Sequence, residues 1–111
     1  MAVSATVISR NKQQFQGIFN DMWEVSATVD PASVAAEASG TDTITVGGVA
    51  LGDMVIGFSL GVTINSNLVV QCFVSAADTL TIMYTNNNVA AGAAIDVASS
   101  AFKAVVARPR F

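Results

Sequence analysis

The spacing of hydrophobic positions changes period near residue 25. Upstream of it, Phe15, Ile18, Phe19 and Met22 recur at i, i+3, i+4 and i+7, the signature of one apolar stripe along a helix. The stripe predicts a short helix over residues 12–23, capped by Asn11, with Gln14 reaching back as in a capping box. Gly17 weakens such a helix by about 1 kcal/mol relative to alanine. The stripe either closes on the domain's own core or docks on a neighbouring subunit, with Trp23 at the helix end as an interface anchor. The first ten residues are rich in Val, Ile, Thr and Ser, which favours an extended arm.

From Val25 onward the period is two. Residues 41–46 alternate, and Leu68, Val70, Cys72 and Val74 fall on one side against Val69, Gln71 and Phe73 on the other. Leu80, Ile82 and Tyr84 share a face, as do Phe102, Ala104 and Val106. Turn formers separate the runs: Asp30-Pro31, Gly47-Gly48, Gly52-Asp53, Asn65-Ser66-Asn67, Ser75 to Asp78 and Asn86-Asn87-Asn88. Residues 75–78 read as a hairpin connection, and the small side chains of 89–96 read as a loop. Short strands punctuated in this way predict an all-β fold. The expected architecture is an antiparallel β-sandwich or jelly-roll-like barrel, residues 25–111, preceded by residues 1–24 as an N-terminal extended arm with one short helix.

Composition narrows the function. A chain of 111 residues fits one domain, and 52% hydrophobic against 12% charged residues opposes disorder. That apolar share exceeds the need of a small core and points to contact with partners. The longest apolar segment, residues 54–64, is interrupted by Gly57, Ser59, Gly61 and Thr63 and is about half the length a bilayer requires, so no membrane partner is expected. The start of the sequence lacks a basic region followed by an apolar one, so no secretory signal is expected. A single cysteine, Cys72, fits synthesis in a reducing cytoplasm.

All five cations, Arg10, Lys12, Lys103, Arg108 and Arg110, sit near the ends, and residues 13–102 contain no Lys, Arg or His. With a net charge of −3, the chain is not expected to bind nucleic acid, which is driven by exchange of cations on phosphate. Histidine is absent, so neither a Ser–His or Cys–His pair nor an imidazole metal site exists. Cys72 lies within an alternating strand and reads as a buried thiol. The carboxylates are scattered without a calcium-loop run, and the glycines lack the Lys-Ser/Thr of a phosphate loop. No catalytic residue, cofactor or metal is therefore expected, and the protein reads as a non-enzyme. Interface candidates are Phe15, Ile18, Phe19, Met22 and Trp23 from the start, and Arg108, Arg110 and Phe111 from the finish. A small carbohydrate-binding module with Trp23 and Tyr84 as sugar platforms is an alternative.

Three stretches carry a resemblance: Ala27-Thr28-Val29-Asp30-Pro31-Ala32-Ser33-Val34-Ala35; Thr43-Ile44-Thr45-Val46 with Val49-Ala50-Leu51-Gly52-Asp53-Met54-Val55; and Val74-Ser75-Ala76-Ala77-Asp78-Thr79-Leu80-Thr81-Ile82 followed by residues 88–96. Together they resemble a small β module of tailed-bacteriophage virion structural proteins, notably head decoration (cement) proteins and some tail-associated proteins. The resemblance covers residues 27–108, with the first 24 outside it as an anchoring arm. The longer turn from Asn86 to Gly92 departs from the tighter Asn-x-Thr-Gly turn of that pattern. The resemblance implies a non-enzymatic protein made in the bacterial host's cytoplasm and carried on the capsid surface. Its implied partners are the major capsid protein and further copies of itself, as a trimer. A tail, neck or host-recognition component of the virion is the alternative.

Overall fold

Alternation becomes strand wherever the two can be compared. The computed structural model describes residues 18–90 and 92–110 in full, together with the strand backbones of 2–4 and 6–9. Eight strands follow in chain order: β1 (Ala2–Ser4), β2 (Thr6–Ser9), β3 (Phe19–Val29), β4 (Ser39–Thr45), β5 (Met54–Leu60), β6 (Leu68–Ala76), β7 (Thr79–Asn86) and β8 (Ser100–Pro109). They form two four-stranded sheets, ordered β1-β4-β7-β6 and β2-β3-β8-β5. All neighbours run antiparallel except β1, which joins β4 in parallel. The two sheets share no ladder, so the layers are sandwich-like, with β1 and β2 at one flank and β5 and β6 at the other.

The expected helix over residues 12–23 is overturned where it can be seen. Ile18 lies in a turn and Phe19 to Trp23 begin β3, while residues 12–17 fall outside the described residues. As a strand, the segment buries Asp21, Trp23 and Val25 on one side and ladders along β8 from Phe19↔Pro109 to Val29↔Ser100. A helix would put Trp23 and Val25 on different faces. Aromatic and β-branched residues along 19–29 favour the pleated alternative, which tertiary pairing then secures. No helix occurs among the described residues.

The separate arm is likewise corrected. Residues 2–4 and 6–9 are extended as expected, yet β1 and β2 are paired edge strands of the two sheets. The division at 24/25 falls inside β3.

The core lies between the layers. Trp23, Val25 and Val29 from β3 and Phe102, Ala104 and Val106 from β8 meet Ile44, Leu80, Ile82 and Tyr84 from β4 and β7. Leu68 and Val74 of β6 complete it, with Val70 and Cys72 half-buried between them. The hairpin at 77–78 joins β6 to β7, and Asp78 adopts the left-handed conformation at φ 58°. The described residues of 87–90 and 92–99 contain no strand, in line with the loop expected over 89–96, and are pinned by a bridge between Val34 and Ile95.

Candidate interface

Pairing of β3 with β8 brings the two ends of the sequence to one end of the sandwich. Phe19 lies opposite Pro109, Asp21 opposite Arg108 and Met22 opposite Ala107, and the Arg110 amide donates to the Ile18 carbonyl at 3.0 Å. Ile18 is 60% exposed, Phe19 and Met22 are half-buried, and Arg110 is exposed. Phe15 and Phe111 lie outside the described residues. With Trp23 opposite Val106, six of the eight candidates are thus neighbours, a convergence that strand pairing alone produces.

Two of them serve the interior. Trp23 is 0% exposed and belongs to the core, so the anchor role expected of it is overturned. Arg108 continues the inward parity of Phe102, Ala104 and Val106, and its guanidinium caps the Trp23 ring at 5.2 Å from the centroid. Its Nε and Nη2 donate to Oδ1 and Oδ2 of Asp53, each at 2.9 Å, and Nη2 also donates to the Gly48 carbonyl at 2.8 Å. These charge-assisted bonds hold the guanidinium above its ordinary basicity, with the Asp53 hydrogen bonds the main cause. Asp53 is nearly buried and also accepts the Ala50 amide at 2.9 Å. Arg108 therefore staples the loop between β4 and β5 to the sheet.

That loop brings an apolar residue the sequence reading missed. Leu51, at its tip, is 72% exposed, and Met54 just beyond it pairs with Ala107, the residue that also faces Met22. Ile18, Leu51, Met54 and Arg110 thus crown one end of the fold, a mixed apolar and cationic surface suited to a protein partner. The β4–β5 loop itself is fastened to the hairpin at 77–78. The Val46 amide donates to the Asp78 carbonyl at 2.9 Å, the Asp78 amide to the Val49 carbonyl at 2.8 Å, and the Gly48 amide to the Asp78 carboxylate at 2.8 Å.

A second surface lies along the flank of β5 and β6, each paired on one side only. Ile56 and Phe58 of β5 and Val69 and Phe73 of β6 are exposed there. Between Asp53 and Asp78 the sequence carries no charge at all. The sequence reading weighed residues 54–64 only as a membrane span; the charge-free run was the visible sign of an open, apolar flank.

The groups with chemistry are quiet. Burial pushes the Cys72 thiol up to about 12, so at neutral pH it is protonated and weakly nucleophilic. Tyr84 is buried and its hydroxyl donates to Asp42 at 3.2 Å; desolvation, then the Asp42 charge, raise it well above the usual phenol range. With Trp23 and Tyr84 at 0% and 1% exposure, neither can stack on a sugar, which removes the platforms of the carbohydrate alternative. Among the described residues no group of three or more Cys, Asp or Glu side chains is placed to hold a metal, and no helix is long and apolar enough to cross a membrane. No family model, curated protein or solved structure matches this chain.

Proposed function

We propose that the protein is a non-catalytic assembly component of a tailed-phage virion, a head decoration (cement) protein that docks on the major capsid protein and bridges its subunits. The fold is read as a β-sandwich that presents one end to the shell and works as a homo-oligomer. The observation that carries the reading is the meeting of Ile18 and Arg110, from opposite ends of the sequence, beside exposed Leu51 and Met54. Burying such side chains against a partner yields roughly 25 cal/mol per Å² of apolar surface. Binding only to the assembled shell stabilises that shell by mass action, which is the physical content of cementing. The resemblance over residues 27–108 supplies the virion context.

The test uses the full chain and heads built from the major capsid protein of the same virion. The native chain co-sediments with tail-less heads, and Ile18→Asp combined with Leu51→Asp lowers that binding at least tenfold while the circular dichroism spectrum stays native. A chain found only on purified tails, or a double variant that binds heads as well as the native chain, overturns the head reading. Truncation of residues 1–24 is not a usable test, because it removes Asp21 and Trp23 from β3.

A further inference from the structure

Edge strands in natural sheets are blunted by charges, proline or bulges, because unpaired backbone groups invite another strand. On the open flank, β5 carries such a device, a bulge between Val55 and Gly57. The β6 strand carries none from Leu68 to Val74: no charge, no proline, and a regular register against β7. We propose that β6 pairs antiparallel with β6 of a second copy about a two-fold axis at Gln71, joining two four-stranded sheets into one.

The ladder fixes which backbone groups are free. The Asn87 amide donates to the Asn67 carbonyl at 2.9 Å, and Leu68 lies opposite Asn86. Odd-numbered residues of β6 therefore point their N–H and C=O toward β7. Those of Val70, Cys72 and Val74 point off the open edge, as does the Leu68 carbonyl, while the Leu68 amide donates to the Asn65 carbonyl at 2.9 Å. In the register centred on Gln71, Val70 bonds Cys72 of the other copy and the Leu68 carbonyl accepts the Val74 amide, with their side chains extending both cores. On the outer face Val69 meets Phe73 of the other copy, both now exposed, and the two Gln71 amides meet on the axis. A shift of the axis to Val70 or Cys72 opposes Gln71 to Val69 or to Phe73 instead, so only the Gln71 register matches like with like.

A second copy is favoured over a foreign strand by two features. The strand reads alike in both directions from Gln71, three apolar residues on each side. Each copy carries a net charge of −3, yet residues 54–77 contribute none of it, so the copies approach through a surface where no like charges oppose. The contact is independent of the capsid reading: a dimer indifferent to shells preserves it and removes that reading. It also departs from the expected trimer, since a two-fold pairing does not close a ring of three.

The test places a cysteine on the axis. Directly opposed residues of a non-hydrogen-bonded antiparallel pair have Cα atoms about 4.5 Å apart, within disulfide reach. In the full chain carrying Cys72→Ala, Gln71→Cys forms a disulfide-linked dimer under mild oxidation, whereas Thr43→Cys on the central strand β4 remains monomeric on a non-reducing gel. In sedimentation the native chain is a dimer, and Gln71→Lys, which opposes two ammonium groups, weakens association at least tenfold with an unchanged monomer fold. A monomeric native chain, a dimer that tolerates Gln71→Lys, or a trimer in which Gln71→Cys does not cross-link overturns the proposal.

Discussion

Arg108 lies across the face of Trp23 while gripping Asp53, so a cation near the end of the sequence seals the core at one end of the sandwich. The arrangement joins β8, β3 and the β4–β5 loop through one side chain. Planarity matters here: a guanidinium can cover the indole and still offer a carboxylate two parallel donors, and an ammonium cannot do both.

Removal of that side chain should therefore be felt in stability. Arg108→Ala leaves the Asp53 carboxylate buried beside an unfilled indole face. The arginine is about a third exposed, which softens the penalty, and the expected loss is about 2 kcal/mol. Arg108→Lys keeps the charge but loses the fork, for a loss of about 1 kcal/mol. Urea titrations of both variants decide this; an unaltered midpoint for Arg108→Ala would show that the pair contributes nothing. High salt should not abolish the difference, because Asp53 is shielded from solvent.

Trp23→Ala should be among the costliest single changes, at about 3–5 kcal/mol, since a fully buried indole leaves a cavity between the sheets. Trp23→Phe should cost clearly less. Intrinsic fluorescence offers a direct check, because the native chain has one tryptophan and its emission should be blue-shifted and shielded from iodide until unfolding. A red-shifted, readily quenched native emission contradicts the buried placement.

Alkaline stability follows from two raised groups. Cys72 sits at about 12 in the fold against an ordinary value of 9.0, and Tyr84 is also raised. The folded state keeps protons that the unfolded chain releases. The stabilisation is thus complete below about pH 9 and is lost as pH climbs toward 12. Thermal melts at stepped pH should fall across this window, and Cys72→Ala with Tyr84→Phe should flatten the fall. Thiol alkylation at pH 8 should run roughly a hundredfold or more slower than for a free cysteine. A melting temperature that is flat to pH 12 and unchanged by the substitutions defeats the assignment.

β4, β6, β7 and β8 were legible because each showed a period of two with few interruptions: Leu80, Ile82 and Tyr84, or Phe102, Ala104 and Val106, are inward as read, whereas β5, with the pattern broken by its bulge, was not read as a strand. β3 was not, because its inward row contains Asp21, a charge that breaks the alternation. Asp21 is tolerated inside because Arg108 lies opposite it in the ladder, a partner far away in sequence. The chance helical spacing of Phe15, Ile18, Phe19 and Met22 then outweighed the alternation of Trp23, Val25 and Val29. The same non-local pairing hid the candidate surface: Ile18 and Arg110 meet only once β3 and β8 are laddered. Arg108 was read as an interface candidate, although extending the parity of β8 by one step points it inward.

Asn86 extends the inward parity of β7 in the same way, and here the consequence is a loop held in place. Its side chain is fully buried, its Nδ2 donates to the Val34 carbonyl at 3.0 Å and the Ala93 carbonyl at 2.8 Å, and its Oδ1 accepts the Asn88 amide at 3.0 Å. One amide thus ties the segment before β4 to the loop before β8. Asn86→Ala leaves the Ala93 carbonyl and the Asn88 amide without this partner, for a loss of about 2 kcal/mol. Asn86→Asp should be worse at neutral pH, because a carboxylate would face two carbonyl oxygens with no donor to offer them. Hydrogen exchange separates this from a general loss of stability: amides of residues 93–95 should lose protection in Asn86→Ala well before those of β3 and β8. Uniform loss across the sheets would mean that Asn86 acts as core filler and not as the fastener of the loop.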